Sequence, residues 1–339
     1  MIESPESPEQ FLIRSGLIDK YDTPTIKKLP GGVSSDVWSA RIPSGVVCIK
    51  KALPKLRVKK DWQVPISRNA NEVAWLKVVN SILPKSVPQI HYHDAQMGFF
   101  IMEYFTEKSY SSWKNQLLAG TVNTEVAAEI GLKLALIHRA TFNNPKYKKK
   151  FDTDRLFFAI RLEPYFGAAA DANPNLSGIL LELSRATAAQ KNSLVHGDFS
   201  PKNILIGPSG PVFLDAECAW YGDPAFDLAF CLNHILLKCL ILEAKTDELL
   251  AVFNKLKDAY LDTFDPIGLE SRTANLLPAL LLARVDGKSP VEYLSKSQQK
   301  NFVRKNAGYL LGKLPISLNE LCEFWRIELK NYFGSQKNE

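Results

Sequence analysis

The chain has 339 residues, 46% of them apolar and 23% charged, with a formal net charge of +6. That length favours two lobes over a single core, and the ordinary composition excludes a disordered or fibrous chain. Residues 1–105 carry 14 Lys/Arg against 10 Asp/Glu and the remainder 28 against 26. With no polybasic arm and no basic stripe interleaved with aromatics, nucleic acid is not an expected partner.

The first ten residues, "MIESPESPEQ", are acidic and lack the apolar stretch of a secretory signal. A short helical lead over about 8–17 follows. Then come strand-like runs rich in β-branched and aromatic residues: "IKKLPGG", "SDVWSARI", "VVCIKKAL", "QIHYHDA" and "GFFIMEYF". One helical pattern interrupts them. "SRNANEVAWLKVVNSIL" puts Val73, Leu76, Val79 and Leu83 on one face, and Ser67 stands where an N-cap belongs. These elements predict a small β-rich lobe with one long helix over 1–105.

Over 106–339 helical periodicity dominates, beginning with "NTEVAAEIGLKLALIHRATF", for which Asn123 is the expected cap. "KYKKKF" (146–151) reads as a solvated loop. Two strand-like runs, "NILIG" and "VFLDAE", flank the turn "PSGP" and predict an embedded hairpin. The most apolar window (225–244) contains Asp227, Asn233, His234 and Lys238, so it reads as a core helix and not a membrane span. The five cysteines (Cys48, Cys218, Cys231, Cys239 and Cys322) form no C-x-x-C pair and suggest buried, reduced thiols in a cytoplasmic protein. The fold class expected is α+β, with a larger, mainly helical C-terminal lobe.

The chemistry concentrates in "LVHGDFSPKNILI" (194–206), where apolar flanks bracket His196, Asp198, Lys202 and Asn203. Polar groups packed into so short a loop point to a ligand or a reaction. Asn203 lies five residues after Asp198, and Asp215 ends the run "VFLD" on the next hairpin. Phosphoryl transfer from ATP needs a carboxylate to orient the attacking hydroxyl and oxygens to hold Mg²⁺ against the phosphates. The spacing therefore predicts Asp198 as base, with Asn203 and Asp215 as metal ligands. Upstream, "LPGGVSSDVWSARI" places Gly31 and Gly32 where backbone amides can approach phosphate, with Ser34 and Ser35 as further donors. His91 and His93 lie two apart on a strand with nothing nearby to complete a zinc site.

"HGDFSPKNIL" followed by "FLDAECAWYGDPAFDLAF" resembles the aminoglycoside phosphotransferase and choline kinase superfamily, and in style its methylthioribose and choline kinase branches. The resemblance covers nearly the whole chain and implies a two-lobed, protein-kinase-like fold: an ATP-binding lobe over 1–105 and a catalytic and substrate-binding lobe over 106–339. Protein kinases proper fit less well. Ser200 takes the place of their catalytic-loop lysine, Asp215-Ala216-Glu217 lacks their glycine, and no A-P-E segment follows.

The resemblance also implies residue roles. Lys50 matches the phosphate-contacting lysine on the strand after the glycine turn, with Lys51 the alternative; strand alternation lets only one face the site. Its implied partner is Glu72, and adenine is implied to be read by main-chain groups from Glu103 to Phe105. Asp227 is implied to brace the catalytic loop, His196 reads as structural support, and Glu217 completes the family's D-x-E. For the acceptor, Arg161 in "AIRLEPYF" and Arg284 in "LLARVDGKSPVEYL" are candidate contacts, the latter lying where methylthioribose kinases keep substrate-binding arginines. The implied function is Mg²⁺- and ATP-dependent phosphorylation of a hydroxyl on a small metabolite such as a sugar or amino alcohol. The alternatives are aminoglycoside phosphorylation conferring resistance and a nucleotide-binding pseudokinase. No membrane partner is expected, and oligomeric state is left open.

Overall fold

A computed structural model describes residues 7–30, 34–55, 57, 63–314 and 316–336. Its chain divides into two compact units, Met1–Ser109 and Tyr110–Glu339. Gly31 and Gly32 lie outside the described residues.

The first unit is an antiparallel five-stranded sheet with two helices. Helix α1 (Pro8–Arg14) starts at a capping box, with the Ser7 and Gln10 side chains each bonding the other's amide. Strands β1 (Thr25–Lys28), β2 (Ser35–Ile42), β3 (Gly45–Ala52), β4 (Ile90–Asp94) and β5 (Phe99–Glu103) pair in the order β1-β2-β3-β5-β4. Alternation along β3 sends Val47 and Ile49 to one face, where they meet Phe11, Leu12, Ala40, Phe99 and Ile101 in a buried core. Phe11 stacks on Phe99 at 3.9 Å between ring centroids.

Helix α2 (Arg68–Ile82) buries Val73, Leu76 and Val79, the face its periodicity indicates. Its start differs from expectation. Ser67 occupies the N-cap position but already has helical dihedrals (φ −57°, ψ −16°), so its hydroxyl makes no capping bond. Arg68 instead secures this end from inside. Its buried guanidinium donates to the carbonyls of Pro65 (3.0 Å), Leu53 (2.8 Å) and Ser34.

The second unit opens with β6 (Ser111–Ser112), α3 (Trp113–Leu118) and α4 (Thr124–Thr141), capped by Asn123 as its sequence suggests. The "KYKKKF" segment forms a short helix, α5 (Pro145–Lys150), and not a loop, because Asn144 caps it and Pro145 starts it. Then follow α6 (Asp154–Phe157), a π-helical stretch (Phe158–Gly167), α7 (Ala168–Ala172) and α8 (Ser177–Ala189). Strands β7 (Ser193–Val195) and β10 (Trp220–Gly222) pair with each other, and β6, β8 (Ile204–Gly207) and β9 (Gly210–Phe213) form a three-stranded sheet. The remaining helices are α9 (Pro224–Cys239), α10 (Thr246–Leu261), α11 (Leu269–Asp286), α12 (Ser297–Leu311) and α13 (Leu318–Gln336).

Every residue of α9 is buried, which accounts for the apolar window around it. Among the described residues, no helix is long and apolar enough to cross a membrane. The paired strands leave two loops between them, 196–203 after β7 and 214–219 after β9, and these carry the polar residues of the motif.

Helices α4 and α10 pack closely because α4 has a glycine at their contact. A Cβ built on Gly131 would lie 2.2 Å from the Leu256 carbonyl oxygen. On an exposed helix, Gly→Ala stabilises by about 0.8–1 kcal/mol. Here we predict the opposite sign for Gly131→Ala, a loss of about 1–3 kcal/mol from forced separation of the helices, measured by urea denaturation. A stabilised variant would contradict the packing.

Candidate active site

In the first unit, the strand places Lys50 and Lys51 on opposite faces. Lys51 sits over the Phe11 ring at 5.0 Å. Lys50, 5% exposed, contacts both carboxylate oxygens of Glu72, at 2.9 and 2.7 Å. Glu72 is 1% exposed, so this is a buried ion pair joining β3 to α2. Ser34 and Ser35 are buried at the head of β2. The Glu103 amide donates to the Gln89 carbonyl (2.8 Å) within the sheet, so that donor is committed before the chain reaches Tyr104 and Phe105.

In the second unit, the loop after β7 is shaped by one carboxylate. Asp227, fully buried in the first turn of α9, accepts from the amides of His196 (2.6 Å) and Gly197 (2.9 Å). It also contacts His138 Nε2 at 3.3 Å, and His138 Nδ1 lies 2.7 Å from the Tyr260 hydroxyl. With the Nε2–H tautomer, the chain Tyr260–His138–Asp227 satisfies each member. Burial raises the Tyr260 hydroxyl well above its ordinary value, so it stays a donor.

Gly197 makes the turn possible. It adopts φ +77°, and a Cβ there would lie 2.6 Å from the Cys218 carbonyl oxygen. His196 donates from Nε2 to the Leu214 carbonyl (3.0 Å) and accepts the Asp198 amide at Nδ1 (3.1 Å). That pattern requires a neutral ring, and burial lowers the His196 pKa accordingly. His196 thus ties the Asp198 loop to the strand leading into Asp215. Asp215 has φ +66°, a conformation sparsely populated outside glycine, and Glu217 lies half-buried two residues on.

Asp198 is 5% exposed and crowded by donors. Its Oδ2 lies 2.9 Å from Asn203 Nδ2, 2.9 Å from Lys202 Nζ and 3.2 Å from Arg161 Nη2. Burial alone would raise its pKa, but Lys202 and Arg161 outweigh burial and the neighbouring Asp215 charge, and hold it below the usual carboxylate value. Lys202 is raised in turn, since Asp198 and Asp215 together outweigh its own desolvation. Asn203 spends its amide nitrogen on Asp198, giving 2.9 Å bonds to both the main-chain oxygen and Oδ2. Its side-chain oxygen takes no part in these bonds. The Leu214 amide donates to the Asn203 main-chain carbonyl (2.9 Å), which brings Asn203 next to the strand end that carries Asp215. An amide oxygen with a carboxylate is a hard donor set that suits Mg²⁺ and not zinc. Among the described residues, no group of three or more His, Cys, Asp or Glu gathers as for another metal.

Arg161 departs from the expected substrate contact. Pro164 has no amide hydrogen for the Ile160 carbonyl four residues back, and the helix widens to π geometry there. Arg161 Nη1 donates to that carbonyl (2.6 Å), Nε to the Gly197 carbonyl and Nη2 to Asp198. Its guanidinium is therefore spent on holding the Asp198 loop. Arg284 donates from Nη1 to the Tyr165 hydroxyl (3.0 Å) and to the Ser289 carbonyl and hydroxyl. Four contributors carried no sequence assignment: Lys202, Arg68, His138 and Tyr260. Only Lys202 left a readable signal, its one-turn spacing from Asp198.

Comparison with known proteins gives the family and the fold. Residues 25–238 match the family model described as the phosphotransferase enzyme family (APH), and the chain belongs to that family. It is similar to methylthioribose kinase 1 of Oryza sativa subsp. japonica, 23% identical over 258 residues, 67% of this chain and 59% of the relative. It is also similar to the methylthioribose kinase of Bacillus pumilus, 24% identical over 268 residues, 70% and 66% of the two chains. The chain spans less than two thirds of the length of these curated relatives. In fold it is similar to a spectinomycin phosphotransferase (TM-score 0.52, 12% identity, 98% of this chain and 99% of that one). It is likewise similar to an amicoumacin kinase solved with AMP-PNP and Ca²⁺ (TM-score 0.52, 14% identity, 92% and 96%). The fold is the mixed α+β, protein-kinase-like one of these phosphotransferases.

The Lys50–Glu72 pair gives a stability test. Glu72→Ala removes the carboxylate that pairs with a buried ammonium, and we expect a loss of about 3–5 kcal/mol, with much of it recovered in the double variant Lys50→Met/Glu72→Ala. Chemical denaturation of the three proteins measures this, and a single variant as stable as wild type would contradict a buried pair.

Proposed function

We propose that the chain is a Mg²⁺- and ATP-dependent kinase that phosphorylates a hydroxyl of a small metabolite, such as a sugar or amino alcohol. The observation that carries this reading is Asn203, bonded through nitrogen to the Asp198 carboxylate while its oxygen is left for a cation. Family membership and relatives named as methylthioribose kinases support a hydroxylated small acceptor.

Asp198 accepts the acceptor's hydroxyl hydrogen and aims its oxygen at the γ-phosphorus. The new O–P bond forms as the bond to the β-phosphate oxygen breaks, ADP leaves, and the hydroxyl proton passes to Asp198 and on to solvent. A carboxylate held below its usual pKa is a weak base. It is adequate because the phosphoryl-transfer transition state is loose and asks for orientation more than proton abstraction. Lys202 and Arg161 keep this carboxylate charged, and Lys50, fixed by Glu72, supplies positive charge for the phosphates. Mg²⁺, when bound by Asn203 and Asp215, neutralises developing phosphate charge. Tyr104 and Phe105 main-chain groups follow the committed Glu103 amide and are the remaining candidates to read adenine.

Asp198→Asn keeps the shape and loses the charge. We expect turnover to fall by about 10²- to 10⁴-fold with nucleotide affinity unchanged, read by coupled ADP release and by AMP-PNP titration. The competent form of Asp198 is the ionised one, so its contribution is lost only as pH falls through its lowered pKa. Wild-type kcat at saturating acceptor and Mg·ATP should therefore stay level from pH 7 down to about 5, and a decline centred on pH 6 would contradict the cation-paired carboxylate.

A further inference from the structure

One face of α9 runs from the Asp198 loop into a wall of alternating rings and cations. Asp227, Phe230, His234 and Lys238 recur on it every three or four residues. Arg161 lies over Tyr165 (5.6 Å) and Phe230 (6.0 Å), and Phe230 meets His234 edge-on at 5.6 Å. His234 Nδ1 is 3.1 Å from the Tyr293 hydroxyl, and Lys238 lies over the Tyr293 ring at 4.9 Å. From α11, Arg284 lies over the Tyr165 ring at 5.6 Å. The wall is thus continuous from Asp198 to Lys238.

Its charges do not balance. Arg161 and Lys202 share Asp198, and Lys114 has Glu292. The nearby carboxylates are taken: Glu163 by Lys288 (2.6 Å) and Asp286 by Arg304 (2.7 Å). Arg284 and Lys238, 8% and 1% exposed, form no direct ion pair; the carboxylate that acts on both from further off is Glu292, which Lys114 already holds. All three hydrogen bonds of Arg284 leave from Nη1, while its buried Nε has none. Lys238 Nζ has a single bond, to the His234 carbonyl (3.2 Å). Buried cations without a direct counter-charge are costly, and the Nε–Nη2 edge of a guanidinium is the fork that binds carboxylate or phosphate.

We propose that the acceptor is itself an anion, a small hydroxylated molecule whose carboxylate or phosphate docks on the Nε–Nη2 edge of Arg284 with the Lys238 ammonium behind it. This rests on the kinase reading and names its substrate class. The field along the wall supports it. Burial pushes Lys238 down to about 7; Lys114 and Arg284 act in the same direction, and Glu292 opposes it. His234 is held neutral by burial and then by Arg284, Lys238, Lys202 and Lys114. A bound anion would restore charge to Lys238, whereas a polycationic acceptor would meet repulsion.

The test uses the full chain with saturating Mg·ATP and acceptors in matched pairs: ribose with ribose 5-phosphate, glucose with gluconate, and kanamycin as a polycation. We expect an anionic member to have a KM about tenfold or more below that of its neutral partner, and Arg284→Gln to erase the difference with ATP KM unchanged. Which pair responds separates phosphate from carboxylate. Arg284→Lys keeps charge but not the fork; it should fall between the two and serves if the Gln variant does not fold. Equal use of neutral or cationic acceptors by wild type and Arg284→Gln would overturn the proposal.

If no acceptor is turned over, the kinase reading fails separately, and calorimetric titration of ribose 5-phosphate and gluconate with Mg·AMP-PNP present decides this one. Binding by wild type that is lost in Arg284→Gln upholds the anion site, and absence of binding by wild type overturns it.

Discussion

Asp227 is a carboxylate with no access to solvent, and a charge so placed persists only where donors replace the lost water. Two of its donors are consecutive backbone amides, His196 and Gly197, and that requirement bends the chain into the turn from which Asp198 projects. The left-handed Gly197, the neutral His196 bridging to Leu214, and Arg161 reaching the Gly197 carbonyl all follow from the turn's shape. Behind Asp227, His138 and Tyr260 carry the same network into α4 and α10, whose approach depends on Gly131. The site is therefore anchored in the helical core and not in its own loop.

Electrostatics divides the second unit into two regions with different uses. Around Asp198, cations and carboxylates are matched: Lys202 and Arg161 keep the carboxylate ionised, and Asp215 keeps Lys202 charged. Further along α9 the matching stops, and Arg284 and Lys238 are buried without a direct ion pair. Such a deficit is costly to a fold, and perturbed buried charges of this kind cluster at functional sites. The same helix thus braces the Asp198 loop at one end and carries a cation without a direct ion pair at the other.

Much of this was legible in the sequence because it is periodic or closely spaced. Strand alternation separates Lys50 from Lys51, and the interval from Asp198 to Asn203 brings their side chains into contact. Contacts between residues far apart in sequence left no such mark. Asp227 was marked by the motif it ends, but its partners His138 and Tyr260 come from two other helices, and nothing local distinguishes them from ordinary core residues. The role of Arg161 depends on Pro164 converting its helix to π geometry, which turns a side chain that looks available for substrate onto the loop instead. Ser67 shows the reverse failure. A good capping residue at the right position is inactive because its backbone is already helical, and Arg68 holds the helix end by contacts 15 and 34 residues distant.

The claim on which the rest depends is that the Asp227 charge holds the His196–Gly197 turn. Residue-resolved hydrogen exchange of those two amides in wild type and Asp227→Asn tests it directly, since asparagine keeps the shape and removes the charge. A hydrogen bond to a charged group contributes about 1.5–3 kcal/mol, so both amides should exchange about tenfold or more faster in the variant while the α9 core stays protected. Unchanged protection at His196 and Gly197 would contradict the account, because Asp198 would then be positioned by something other than this carboxylate.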